Sequence, residues 1–426
     1  MDTSELPLGM MPSTAASRER AWSMPIEAID PSDGYLFQDD SIGAYLARLR
    51  RDAPVHFCAS SRFGPYWSIT RYRDIVTVEM NHAVFSSAGE LGGIAVGSPR
   101  DLMNDQASSF IAMDPPRHDD QRKAVAGIAG AENVARLESV IRGHVIEILE
   151  GLPVGQTFDW VPAVSIELTT RMLATIFDYP FERRTELTFW SDIATGHPKD
   201  DGPVTSHEMR AMELKRCLDV FTGIWNERVN APPQPNIISM LAHSPATRNM
   251  SPMEYLGNLL LLIVGGNDTT RNSISGGILA LNLFPEQFAK LRADHALIET
   301  LVPEIIRWQT PLAHMARTAT ADFELNGQTI RQGDRVVMWY LSANRDDTMI
   351  DDPEQFIIDR KQARRHLSFG FGIHHCMGSR LAEMQLKVLW QEILTRFTAL
   401  EVVGQPKRSL SNFVHGFTSL PVRISR

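Results

Sequence analysis

Phe369-Gly370-Phe371-Gly372-Ile373-His374-His375-Cys376-Met377-Gly378 places one cysteine in a glycine-rich loop near the C-terminus. From Arg380 onward, Leu381, Met384, Leu386, Leu389, Ile393 and Phe397 recur at helical spacing. Cys376 is therefore expected at or near a helix N-terminus. There the positive end of the helix dipole and unpaired backbone N–H groups stabilise a thiolate. Gly370, Gly372 and Gly378 let the backbone turn sharply and approach a flat ligand closely.

Other readings of this loop are weaker. A lone cysteine is usually a small buried hydrophobe, but few such cysteines have these neighbours. Zinc would want four ligands at separated spacings, and no second cysteine pair accompanies His374, His375 and Cys376. A dinucleotide loop would need a third glycine where His375 stands. The local signature of a cysteine protease is absent.

The loop resembles the haem-ligating loop of the cytochromes P-450, Phe-Gly/Ser-x-Gly-x-His/Arg-x-Cys-x-Gly, with Phe369, Gly370, Gly372, His374, Cys376 and Gly378 at every fixed position. The resemblance implies haem b with the Cys376 thiolate as its iron ligand. It also implies the family's fold, with haem between a long central helix and the helix after the cysteine loop.

A chain of 426 residues without a Pro/Gly/Ser-rich linker, low-complexity tract or internal repeat reads as one cofactor-centred domain, residues 1–426. Its 43% hydrophobic and 22% charged residues are those of an ordinary globular protein with an ample core. Cys58, Cys217 and Cys376 are odd in number and far apart, which fits a reducing compartment. Arg18-Glu19-Arg20 lies where a signal core would be, and the most apolar run, Leu259 to Val264, is far too short to span a bilayer. A soluble cytoplasmic protein without a membrane span is expected. The net charge of −9 argues against nucleic acid as a partner.

Residues up to about Ala44 are rich in Pro, Asp and Ser and read as irregular. Val55-His56-Phe57 and Tyr66-Trp67-Ser68-Ile69-Thr70 suggest a small sheet, and Ala88 to Pro99 reads as a flexible loop. Helical patterns dominate from about Asp119 to Arg307, broken at Thr195 to Ser206 and at Ala231 to Pro235. A second β region follows, with Asn326-Gly327 as a hairpin turn and Val336 to Tyr340 as a strand. The fold class is mainly α with a smaller segregated β region.

Ser251-Pro252-Met253-Glu254 predicts a helix start, with a capping Ser, proline at the first position and Glu at the third. The helix is expected to reach about Leu283. In its middle lies Gly265-Gly266-Asn267-Asp268-Thr269-Thr270, a run of poor helix formers. Thr269 can bond back to the Gly265 carbonyl and open the helix locally. The run resembles the family's oxygen-activation motif, which implies that Thr269 hydrogen-bonds bound dioxygen and Asp268 helps deliver protons.

Glu304 and Arg307, three apart, match the family's Glu-x-x-Arg pair, which braces the haem loop. The family often adds a basic residue in a Pro-Glu-Arg-Phe-like run. Here Gln355 stands in Pro353-Glu354-Gln355-Phe356, so Gln355 is expected to complete the network as a neutral partner. His118 and Arg122 match the family's Asp-Pro-Pro-x-His-x-x-x-Arg segment. With Arg317 and His374 they are the expected partners of the haem propionates.

Gly265 to Ser273, Ile306 to Leu312, Phe356 to Arg360, Phe63-Gly64-Pro65 and Phe110 to Met113 look like the bacterial alkane and fatty-acid terminal hydroxylase branch. The expected function is insertion of one oxygen atom from O2 into an unactivated C–H bond, at the end of a linear alkane, fatty acid or alcohol. Leu261, Leu262, Leu312, Ala313, Met315 and Phe417 are candidate pocket walls, with His314 and His415 as polar exceptions. No flavin or iron–sulfur segment exists in the chain, so electrons from NADH or NADPH would arrive through a separate ferredoxin and ferredoxin reductase. Arg117, Arg122, Lys123, Arg360, Lys361, Arg364, Arg365 and Arg380 form the expected docking patch. The alternatives are a cytochrome P-450 acting on a terpene or other rigid apolar substrate, a haem enzyme that uses peroxide or rearranges its substrate, and a non-catalytic haem sensor. Asp268-Thr269 counts against the peroxide-dependent class, and no output domain supports the sensor.

Overall fold

Ser251 opens the longest helix: its hydroxyl accepts from the Glu254 N–H at 3.2 Å, Pro252 takes the first position, and the helix runs to Leu283. In this computed structural model, which describes residues 15–96, 108–196 and 204–426, that helix is the axis of the main core. Leu259, Leu260, Ile263, Ile274 and Ile278 sit in one buried cluster with residues of the surrounding helices. A helix apolar around most of its circumference is stable only when enclosed. Helices Glu167–Phe177, Thr185–Thr195, Ile298–Gln309 and Ser379–Arg396 pack against it. The expected back-bond exists, Thr269 Oγ1 to the Gly265 carbonyl at 3.0 Å. The helix nevertheless stays continuous there, because such a bond can be added without breaking the ladder.

The β part is assembled from distant segments. Strands β1 (Val55–Cys58), β2 (Tyr66–Ile69) and β3 (Phe85–Ser86) come early, and β4 (Thr157–Asp159) lies apart from them. Strand β5 is His314–Ala319, followed by β6 (Phe323–Leu325), β7 (Gln328–Ile330) and β8 (Arg335–Trp339). Near the end lie β9 (Ala399–Val402), β10 (Lys407–Arg408), β11 (Phe417–Ser419) and β12 (Pro421–Ser425). The main sheet has the order β1-β2-β8-β5-β3, with β2 and β8 parallel and the other pairs antiparallel. Strands β6 and β7 form the expected hairpin, and Asn326 and Gly327 both take positive φ in its turn (52° and 78°). The expected strand to Tyr340 ends at Trp339, and Tyr340 begins a short helical turn.

The N-terminal segment departs from its irregular reading. Helices cover Ala15–Ser23, Gly34–Gln38 and Ile42–Asp52. Ile42, Tyr45, Leu46 and Leu49 are buried on one side of the last. The polar residues that suggested disorder are caps and turns: Asp33 accepts from the Tyr35 N–H, and Asp39 from the Ser41 N–H, each at 3.0 Å. Of the expected break Thr195 to Ser206, residues 197–203 lie outside the described residues; one helix ends at Thr195 and another begins at His207, and the break at Ala231 to Pro235 falls between helices ending at Val229 and beginning at Ile237. Of the expected loop Ala88 to Pro99, residues 97–99 lie outside the described residues; Gly89–Leu91 forms one short turn, and Ala95 and Val96 are buried. Among the described residues no helix is long and apolar enough to cross a membrane.

Candidate active site

The helix expected after the cysteine begins at Ser379, three residues past Cys376. The loop before it is held by the Cys376 N–H donating to the Phe369 carbonyl at 2.7 Å. Gly370 and Gly372 take φ of 68° and 63°, which a side chain would resist. Gly378 does not, at φ −85°; a Cβ there would stand 4.0 Å from the Cys376 sulfur. Burial pushes the Cys376 thiol up, against the Gly378 N–H, the Arg122 guanidinium and the Ser379 N–H, which pull it down. The helix terminus therefore acts as expected, but in the protein alone the low dielectric outweighs it.

Beside the loop, His118, Arg122, His374 and Arg317 converge. The rings of His118 and His374 meet edge to face with centroids 4.4 Å apart. His118 Nδ1 contacts Asp119 at 2.7 Å and His374 Nε2 contacts the Ser87 hydroxyl at 2.8 Å. The other nitrogens, His118 Nε2 and His374 Nδ1, are buried without a hydrogen-bond partner. Burial, then Arg317, His118 and Arg122, push His374 down to about 2. Orphaned buried nitrogens among cations are what a dianionic ligand edge would satisfy, so the donor set fits the haem propionates. Arg122 meanwhile donates to the His375 carbonyl. Arg317, almost fully buried, is paired with Glu79 Oε2 at 2.9 Å, a partner the sequence reading did not anticipate.

On the central helix, Leu261, Leu262, Val264, Gly265, Gly266 and Thr269 are accessible to some degree, while Leu259, Leu260, Ile263, Asn267, Asp268 and Thr270 are buried. Leu261, Gly265 and Thr269 are four apart and share one stripe. Nothing stands within 4 Å of where a Gly265 Cβ would lie, so the stripe borders open space. Asp268 is turned away from it and buried, 3.0 Å from Arg271 Nη2. Arg271 also reaches Asp192 at 3.0 Å, and the Ser191 hydroxyl donates to Asp268 at 3.3 Å. Burial raises the Asp268 carboxyl while Arg271 pulls it down.

The Glu304–Arg307 pair is bidentate, 2.8 Å on both arms, with both side chains fully enclosed. Gln355 does not complete it as expected: only its backbone carbonyl accepts, from Arg307 at 2.9 Å. The third charge is Arg360, whose Nε lies 3.1 Å from Glu304. Arg360 therefore leaves the expected docking patch. Arg117 and Arg364 are tied to Glu254 and Glu383, whereas Lys123, Lys361, Arg365 and Arg380 are exposed. The triad reaches the cysteine loop through Asn344. The Asn344 carbonyl accepts from Arg307 at 2.9 Å, and its side chain bonds Ser368 and the Leu367 N–H.

The candidate walls divide. Leu312 and Met315 are partly accessible, while Ala313 is buried with Phe37 and Trp339 and Phe417 lies beneath the Arg408 guanidinium. His314 and His415 are not free for a head group. His314 is bonded to the Val96 N–H and the Asn412 carbonyl, each at 3.0 Å. His415 is bonded to the Gln309 carbonyl at 2.9 Å and Asp40 at 3.2 Å. These ties run between segments far apart in sequence and left no local signal.

This chain resembles known proteins along most of its length. The family model described as Cytochrome P450 matches residues 228–425. Linalool 8-monooxygenase of Pseudomonas putida is 35% identical over 389 residues, 88% of this chain and 94% of that protein. A methyl-branched lipid omega-hydroxylase of Mycobacterium tuberculosis is 29% identical, covering 92% and 93%. The solved structure of cytochrome P450-153 from Novosphingobium aromaticivorans superposes with a TM-score of 0.85 at 43% identity, covering 93% of this chain and 99% of that one.

Proposed function

The chain belongs to the cytochrome P450 family, and we propose that this monooxygenase oxidises the terminal methyl of a linear apolar chain such as an alkane, fatty acid or fatty alcohol. When bound, the haem supplies dioxygen activation, with a cysteine thiolate donating electron density to the iron. Cys376 would hold it through sulfur, and His118, Arg122, Arg317 and His374 would meet its propionates. The Thr269 hydroxyl would hold a proton on the stripe, and the Asp268 carboxyl would feed protons from the buried side of the same helix, where it meets Arg271 and Ser191. Electrons would come from NADH or NADPH by way of a separate ferredoxin and its reductase, docked near Lys123, Lys361, Arg365 and Arg380. A cytoplasmic setting suits the unpaired cysteines.

One observation carries the terminal reading. The accessible face leading to Thr269 offers Leu261, Leu262, Val264 and Gly265, with no polar side chain, and His314 and His415 are engaged within the protein. An apolar chain end fits there, and any polar head must lie at the far end. A methyl C–H bond is stronger than its methylene neighbour, so terminal attack has to come from positioning, an effect worth several kcal/mol. The omega-hydroxylase relative supports the same direction. A terpene alcohol is the second reading, favoured by the likeness to linalool 8-monooxygenase.

Alkanes and fatty acids of increasing length should be screened for a low-to-high-spin shift, and the products of turnover identified. Primary alcohols or ω-hydroxy acids are expected. Mainly subterminal alcohols, or turnover only of rigid terpenes and steroids, would overturn the terminal reading and leave the monooxygenase in place.

A further inference from the structure

We propose that Glu79 is a positioning residue that sets the reduction potential of the haem, by placing a fixed carboxylate behind Arg317 and against the cysteine loop. Glu79 lies in the last turn of helix Tyr72–Met80 and is buried. Its Oε2 accepts from Arg317 Nη2 at 2.9 Å and its Oε1 from the Tyr340 hydroxyl. Burial and the adjoining carboxylate hold that hydroxyl protonated well above its ordinary range, so Tyr340 remains a donor.

Glu79 also touches the loop itself. A Cβ on Gly372 would come within 2.7 Å of the Glu79 carbonyl, and one on Gly370 within 3.7 Å of Oε1 and 3.5 Å of the Tyr340 hydroxyl. Gly372 thus makes room for the Glu79 backbone, and Gly370 leaves ordinary contact distance to its carboxylate. A structural ion pair could have been built anywhere on the sheet. This one takes Nη2 of an arginine whose Nη1 donates to the Ala316 carbonyl at 2.8 Å and whose other expected partner is a haem propionate, so Arg317 would be shared between two carboxylates.

The consequence is electrostatic. One-electron reduction of ferric to ferrous haem adds a negative charge to a site of low dielectric constant, and a nearby buried anion opposes it. Glu79 therefore favours the ferric form. Neutralising it should raise the ferrous-to-ferric ratio at fixed solution potential, on the order of tenfold. The inference rests on the haem-thiolate reading of the loop.

The test is spectroelectrochemical titration of the haem-loaded protein and its variants, with the ferrous carbon monoxide spectrum recorded beside it. If the unaltered protein lacks the red-shifted thiolate Soret band, the haem reading itself is at fault. With that band present, Glu79→Gln should keep it and move the potential positive, and Glu79→Asp should restore the potential towards the original. A Glu79→Gln protein with the band and an unmoved potential would overturn the proposal. If Glu79→Gln does not retain haem, Tyr340→Phe decides. It removes a hydrogen bond from the carboxylate but leaves its charge, and should move the potential negative; no movement overturns the proposal.

Discussion

Arg360 Nε lies 3.1 Å from Glu304 Oε2, so the Glu304 carboxylate is clasped between two guanidinium groups, Arg307 on its own helix and Arg360 from 56 residues further on. Arg307 also donates to the carbonyls of Asn344, Pro353 and Gln355, at 2.8–2.9 Å. The cluster is thus a knot joining three chain segments directly behind the cysteine loop.

Arg360→Ala should unfold far more readily than Gln355→Ala. Removing Arg360 leaves a buried carboxylate with half its compensation, and breaking such a pair costs about 3–5 kcal/mol. Gln355 contributes a backbone carbonyl that alanine keeps, so its replacement should stay within about 0.5 kcal/mol. Urea unfolding followed by fluorescence, with haem content of the purified variants, separates the two. Equal costs would return the third role to Gln355.

What was legible in the sequence is what is encoded locally. Ser251 and Glu254 announced the central helix, Asn326-Gly327 the hairpin, and six fixed positions the cysteine loop, each within ten residues. Arg360 was visible only as one basic residue among several, because its partner lies across a chain reversal. Glu79 and Asn344 carry no motif, and their meaning depends on tertiary contacts with Arg317 and Leu367. The N-terminal helices were hidden because caps and turns share their residue types with disorder.

Cys376→His should abolish the red-shifted Soret band of the ferrous carbon monoxide complex. The sulfur is the donor that the loop encloses, and an imidazole does not push comparable electron density onto iron. Persistence of the thiolate-type band in the variant would remove Cys376 from the iron.

Thr269→Ala should leave the substrate-induced spin shift nearly intact while diverting reducing equivalents to hydrogen peroxide. Thr269 borders the apolar stripe with one hydroxyl, already turned to the Gly265 carbonyl at 3.0 Å, so substrate affinity gains little from it. Proton transfer by a placed group contributes about 10²–10⁴-fold, and its loss should lower product per NAD(P)H severalfold. Unchanged coupling would assign Thr269 to packing.

Asp40 holds the C-terminal loop to the N-terminal helices, and this tie should weaken in acid. Asp40, itself at φ 60°, meets Arg408 Nη2 at 3.1 Å and His415 Nε2 at 3.2 Å. His415 is locked in turn to Gln309, whose side chain donates to the His415 carbonyl at 2.6 Å. Two residues on, Phe417 is buried, with the Arg408 guanidinium over its ring at 4.1 Å. Burial alone would raise the Asp40 carboxyl, but Arg408 and His415 outweigh it and hold it well below the usual carboxylate range. A depressed carboxyl stabilises the fold fully above its unfolded value, near pH 4, and the contribution fades as pH falls towards the folded value. Since the Asp40 side chain is 28% exposed, Asp40→Asn should cost about 1–2 kcal/mol at pH 5, towards the low end for a charged hydrogen bond. By pH 3 the difference from the unaltered protein should have shrunk measurably. Chemical denaturation of both proteins at the two pH values gives the comparison. A difference that stays constant would show that Asp40 acts through the shape of its turn and not through its charge.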